Sequence, residues 1–249
     1  MLYLCGCATG TLHRQKWRFS ASQTHLWLIK VWFSASTFVV KITTFAKPQN
    51  VSKHFKEMNL PEKLKSKFDN YISFPIEFWE SISGLGEIIS VERETTLKEI
   101  HKIENYLYFI LEGSGGILLW NNNNFVCSDM VFNNDFLCDY LSFITRKETP
   151  YEVITFEKSV LFRISYSTLY SYLNSSENGD KFWRYSNQAL YIDKHLQFIQ
   201  SLTQSAETIY ELILQHQPEI VQRIPQKYIA SYLGITPQSL SRIRKKIVY

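Results

Sequence analysis

Apolar and polar positions along this chain follow two periods, and the switches between them divide it. Residues 61–71 and 75–83 repeat at helical spacing, with Asn59 or Leu60 ahead of Pro61 at a position suited to a helix start. The runs then shorten to strand length: 88–93, 106–111, 116–120, 125–132, 151–156 and 159–165. Between them stand Glu112-Gly113-Ser114-Gly115, four asparagines at 121–124, Asn133-Asn134-Asp135 and Glu157-Lys158, all rich in residues that tolerate tight turns. Several short strands at this spacing predict a β-sandwich or jelly-roll barrel. Gly113, Gly115 and Gly116 fall between two strand-like runs and do not open a helix, so a hairpin turn is expected there, not a phosphate cradle.

Helical spacing returns at 180–203. Phe182, Tyr185, Ala189, Ile192, Leu196 and Ile199 form a heptad seam of about three repeats. Such a stripe serves either a helix packed on its own barrel or a two-fold dimer. The dimer is the favoured expectation, because Trp183, Leu190 and Phe198 lie off the seam and are available to the barrel. A further helix is predicted at 205–216, capped by Ser205, with Ile209, Leu212 and Ile213 on one face and Pro218 beyond its end.

The stretch from Arg223 to Lys246 has the anatomy of a helix-turn-helix. Pro225 can start one helix, Ala230 is small where two helices cross, and Gly234 supplies a left-handed turn. Thr236 then caps a second helix with Pro237 at its first position, and Leu240 and Ile243 point inward. Gln238, Ser239 and Arg242 project from the opposite face as candidates for base contacts, since Gln pairs bidentately with adenine and Arg with guanine. Thr236, Arg244, Lys245 and Lys246 are candidates for phosphate contacts, which add affinity without reading sequence.

Charge supports this. The overall net charge is only +4, but residues 1–57 carry eight Lys/Arg against one acid, residues 58–220 carry 13 against 22, and residues 221–249 carry six against none. A mildly acidic body with a basic, acid-free end suits a protein whose last segment meets a polyanion. The apolar runs near the start are interrupted by Lys30 and Lys41 and are too short to span a bilayer. Residues 1–57 differ so sharply in charge from the body of the chain that Met58 is the expected natural start.

Candidate chemistry is sparse. Four cysteines at 5, 7, 127 and 138 suit neither a disulfide framework nor paired metal knuckles, and the six histidines show no ligand spacing. Cys127 and Cys138 are expected to be buried and inert. No nucleophile elbow or Walker loop occurs, so neither an enzyme nor a metal or other cofactor is expected.

The run 225–246 resembles the bacterial Crp/Fnr family of transcription regulators, and the resemblance extends in order over residues 58–249. It implies an α+β chain: a jelly-roll barrel like the cyclic-nucleotide-binding domain at 58–176, a dimerisation helix at 177–204, and a helix-turn-helix domain at 205–249. It places Gln238, Ser239 and Arg242 where the family's recognition helix meets base edges. The implied protein is a cytoplasmic homodimer that reads an inverted repeat in double-stranded DNA, with RNA polymerase and an unidentified small-molecule effector as further partners and no membrane. Two departures stand out. Where the family holds cyclic nucleotides with Gly-Glu and Arg-Ser or Arg-Thr pairs, this chain reads Asp135-Phe136-Leu137-Cys138-Asp139 and Lys147-Glu148-Thr149-Pro150, so cyclic AMP is not the expected effector. The chain also stops at Tyr249, just past the recognition helix, so a full wing hairpin is not expected. The alternative from another class is a cupin-type small-molecule binding protein or enzyme using the β-barrel.

Overall fold

The computed structural model describes residues 59–247 apart from Asn70, Asn123, Gln217 and Glu219. The expectations for residues 1–57 lie outside the described residues. Two helices come first, α1 (Leu60–Phe68) and α2 (Ile76–Leu85). Asn59 precedes α1 in the left-handed region, and Pro61 occupies its first turn, where a missing N–H costs nothing.

Eight strands follow: β1 (Glu87–Val91), β2 (Thr96–Lys98), β3 (Tyr106–Glu112), β4 (Ser114–Asn121), β5 (Asn124–Phe132), β6 (Phe136–Leu137), β7 (Tyr151–Thr155) and β8 (Ser159–Ser165). A short helix, α3 (Tyr140–Thr145), lies between β6 and β7. The strands form two antiparallel sheets in the orders β1-β8-β3-β6 and β2-β7-β4-β5. This is the expected jelly roll. Strands β2 and β6 and helix α3 carry too few residues to declare a period, and sequence patterning did not mark them.

The hairpin expected at Gly113 is not one. Strand β3 belongs to the first sheet and β4 to the second, so the turn carries the chain across the roll. Gly113 has φ +113°, and a Cβ there would lie 2.2 Å from the Ser159 hydroxyl, so the crossing requires glycine. The asparagine run does form a hairpin, joining β4 to β5 with Asn122 at φ 55°. Within that pair, Ile117 faces Asp129 and Leu118 faces Cys127, which leaves Ser128 as a β-bulge.

Four more helices complete the body, α4 (Tyr166–Ser175), α5 (Gly179–Thr203), α6 (Ala206–His216) and α7 (Ile220–Arg223). Ser205 caps α6 as expected, accepting from the Thr208 N–H at 3.1 Å. Burial then orders the layers. Tyr108, Ile110, Val131, Leu137, Val153 and Leu161 fill the space between the sheets. Phe109, Leu111, Phe162 and Ile164 point outward from the first sheet into a core shared with α1, α2, α4 and the start of α5. Its centre is aromatic: Phe68, Trp79 and Phe182 sit with ring centroids 5.0 to 6.0 Å apart. No helix among the described residues is long and apolar enough to cross a membrane.

Among the described residues, two acids are buried in this framework, Asp139 and Glu104. Glu104, just ahead of β3, is 1% exposed, and one of its carboxylate oxygens has no partner among the described residues. The other accepts from the Tyr106 N–H at 3.1 Å. Burial pushes its pKa up to about 7. The folded state therefore holds a proton that the unfolded chain releases near its ordinary value, so this contribution to stability is full below about pH 4 and is lost as pH rises toward 7. Urea denaturation from pH 5 to 8 should show Glu104→Gln losing much less stability across that range than the parent, a difference on the order of 3 kcal/mol. Parallel pH profiles for the two would show that Glu104 does not carry the proton.

Candidate nucleic-acid interface

The last two helices are α8 (Gln226–Tyr232) and α9 (Pro237–Ile247). Pro225 stands immediately before α8 with extended ψ, and Ala230 is fully buried. Gly234 adopts φ +67° in the turn, where a side chain would meet nothing but the backbone would be strained. Thr236 Oγ1 accepts from the Ser239 N–H at 3.2 Å, capping α9. Leu240 is fully buried and Ile243 packs beside it, so the opposite face is presented outward.

On that face Gln238, Arg242 and Lys245 are exposed. Ser239 is half-buried and 3.1 Å from the Thr236 hydroxyl, so both side chains are already engaged in the cap. Two of the expected phosphate contacts are also engaged. Arg244 Nε donates to the Tyr210 hydroxyl at 3.0 Å, and Lys246 pairs with Glu207 at 2.6 Å. Both partners lie on α6, which the basic end of α9 crosses. A basic run read from sequence says nothing about where acids on another helix will fall.

Helix α8 lies on the outer face of the second sheet. Tyr228 stacks on Phe156 with centroids 4.3 Å apart, and its hydroxyl donates to Glu94 at 3.2 Å. Lys227 pairs with Glu94 at 2.9 Å and Arg223 with Glu157 at 2.6 Å. The Lys227 ammonium holds the Glu94 carboxyl below its ordinary pKa. The Ser231 hydroxyl accepts from the Cys127 N–H at 2.9 Å and donates to the Phe125 carbonyl at 3.2 Å, satisfying the free edge of β5. Sequence reading missed this seam. Its trace was there, in Ile117-Leu118-Leu119-Trp120 and Val153-Ile154, where consecutive apolar residues show that both faces of a strand are covered.

Helix α5 divides differently from its heptad pattern. Phe182 is buried in the aromatic core of the chain itself, Ala189 is also buried, and Tyr185 is half-buried. Phe198, expected on the barrel, is 56% exposed. The exposed apolar residues are Tyr191, Ile192, Leu196, Phe198, Ile199 and Leu202. Spacing alone cannot tell a stripe that meets its own body from one that meets another chain, and the N-terminal half of α5 meets the body.

Where the resemblance led one to look for an effector, the chain has filled the space with charge. Lys98 Nζ lies 2.8 Å from Asp139 Oδ2 and 2.8 Å from Thr149 Oγ1, both buried, and 2.6 Å from the half-buried Tyr151 carbonyl. Thr149 also donates to Asp139, which caps α3 through the Ser142 N–H. Beside this cluster opens a cavity of about 810 Å³ between the roll and α5, with Tyr232 of α8 at its wall. Cys127 and Cys138 are both free and buried, and burial pushes the Cys127 thiol up to about 12 and raises that of Cys138 as well. No cluster of metal-ligating side chains occurs among the described residues.

No family model matches this chain, and no curated protein does either. Solved structures do. The c-di-GMP-responsive global regulator CLP of Xanthomonas campestris superposes with a TM-score of 0.56 at 15% identity, over 70% of this chain and 91% of that one. FixK2 from Bradyrhizobium japonicum gives 0.53 at 13%, over 65% and 84%. A cyclic nucleotide-binding domain from Methylobacillus flagellatus gives 0.50 at 18%, over 60% and 84%. The fold is therefore that of cyclic-nucleotide-binding β-rolls and of Crp/Fnr-type transcription regulators.

The Lys98 cluster is testable by itself. Lys98→Met leaves the buried Asp139 without its cation, and should cost about 3 to 5 kcal/mol in urea denaturation. Adding Asp139→Asn should recover a large part of that loss. Equal stability of Lys98→Met and the parent would show the pair to be unimportant.

Proposed function

We propose that this protein is a sequence-specific DNA-binding transcription regulator that acts as a homodimer. The observation that carries the reading is α9: a capped helix anchored by Leu240, presenting Gln238, Arg242 and Lys245 outward at the end of a chain with the fold of regulators. Gln238 and Arg242 are the base readers, and Ser239 has a lesser part because the cap uses it. Lys245 is the principal phosphate contact, with Arg244 and Lys246 contributing where they exchange Tyr210 or Glu207 for DNA.

The exposed stripe on α5 supplies the dimer. Ile192, Leu196, Ile199 and their neighbours Tyr191, Phe198 and Leu202 recur at heptad spacing and would bury against the same helix of a second copy. Two readers related by a two-fold axis would enter successive major grooves about 34 Å apart, so the operator is an inverted repeat, where occupancy governs access of RNA polymerase. The cavity between the roll and α5 is the effector site, and cyclic AMP is not its ligand, since Lys98, Asp139 and Thr149 satisfy one another. The cupin-type alternative finds no cluster of metal-ligating side chains among the described residues.

In a binding-site selection, the parent should enrich a two-fold symmetric motif. Arg242→Ala should relax preference at one base pair in each half-site, worth about 1 to 3 kcal/mol. Lys245→Ala should weaken binding to all sequences alike and lower the salt dependence. An unchanged motif for Arg242→Ala would remove it as a reader. In sedimentation, Leu196→Glu should convert dimer to monomer; a parent already monomeric at micromolar concentration would overturn the dimer.

A further inference from the structure

The cavity beside α5 restricts the ligands it can take, because its charges are already spent. Lys67 is bound to Asp135 at 2.8 Å, Lys194 to Asp129, and Asp139 is neutralised by Lys98 beneath the wall. What remains is Asp193 on α5, whose two carboxylate oxygens each stand 3.3 Å from the Tyr71 hydroxyl. The wall carries four aspartates, Asp129, Asp135, Asp139 and Asp193, against the lysines Lys67, Lys194 and the underlying Lys98, one fewer. An anionic group entering here would meet no unpaired lysine and would face a carboxylate.

The rest of the wall is apolar, with Phe136, Met130, Trp183, Leu190 and Leu196 prominent. Ser186 of α5 also lies in this wall, with its Oγ closed off from the open space. A volume of about 810 Å³ is that of a site for a drug-sized molecule.

We propose that this cavity binds an uncharged or cationic, predominantly apolar small molecule, and that it rejects cyclic nucleotides and other anions. The ligand class rests on the cavity alone; that binding alters DNA affinity rests on the function proposed above. The route for the second effect is short. Asp129 and Tyr232 are both wall residues, and Gln197 bridges them, with its Nε2 3.4 Å from Asp129 and donating to the Tyr232 hydroxyl at 2.9 Å. Tyr232 is the last residue of α8, so a ligand that moves α5 moves the reader.

The test compares two dyes with related aromatic frames, uncharged N-phenyl-1-naphthylamine and the anionic 8-anilino-1-naphthalenesulfonate, by fluorescence titration of the full chain. The uncharged dye should bind at least tenfold more tightly, and calorimetry with cyclic AMP and cyclic di-GMP should show no saturable binding. Ser186→Trp should abolish uncharged-dye binding, with folding checked by thermal melting. Asp193→Lys should narrow or reverse the preference between the dyes, which keeps the test decisive should the tryptophan variant not fold. Equal or tighter binding of the sulfonate, saturable binding of either nucleotide, or an unchanged preference in Asp193→Lys would overturn the ligand class. Uncharged-dye binding that persists in folded Ser186→Trp would overturn the site. Operator affinity is measured with and without the uncharged dye. Selective dye binding by a protein that binds no operator sustains the ligand class and sinks the proposed function.

Discussion

Both sheets of this roll carry buried apolar residues on both faces. Leu118, Cys127, Ile154 and Phe156 line the outside of the second sheet as Phe109, Leu111, Phe162 and Ile164 line the outside of the first. Apolar area left exposed costs about 25 cal/mol per Å², so each sheet must be covered on both sides. The first is covered by α1, α2, α4 and the start of α5, the second by the helix-turn-helix. That requirement, more than any single polar contact, fixes where the helix-turn-helix sits. It also decides which of its helices turns inward: α8 supplies Tyr228, Ile229 and Ala230 to the seam, which leaves the outer face of α9 to solvent.

Polar groups inside the fold are handled by mutual satisfaction. Lys98, Asp139 and Thr149 neutralise and complete one another, Ser231 completes the free edge of β5, and Glu104 is left as an acid with one oxygen unpaired. The same economy shapes the cavity, where Lys67 and Lys194 are each taken by an aspartate. The β-bulge at Ser128 has a part in this. The extra residue re-aims the strand there, and Asp129 beside it meets Lys194 and Gln197 of α5. One local irregularity thus joins the roll, the long helix and, through Gln197, the helix-turn-helix.

The fold was legible wherever a run was long enough to declare its period. Six of the eight strands, the helical pair, the long helix and the helix-turn-helix all repeat for several residues, and each emerged near its predicted place. Strands β2 and β6 and helix α3 did not, because two to six residues carry no period. The turn at Gly113 was misread for a related reason. Glycines between two strands are compatible with a hairpin or with a crossing between sheets, and only the pairing of β3 with β8 and of β4 with β5 separates the two.

By itself, then, the sequence determined the local architecture of the helix-turn-helix: Thr236 caps α9 through the Ser239 N–H, Gly234 turns the chain and Leu240 is set to face inward. Tertiary structure alone decided which of its basic groups are free. Arg244 and Lys246 are met by Tyr210 and Glu207 more than thirty residues away, while Arg242 and Lys245 stay exposed. It likewise decided that Phe182 belongs to the body and Leu196 to the surface, although both sit on one heptad stripe. A period records which side chains share a face, and what that face meets depends on chain folded from elsewhere.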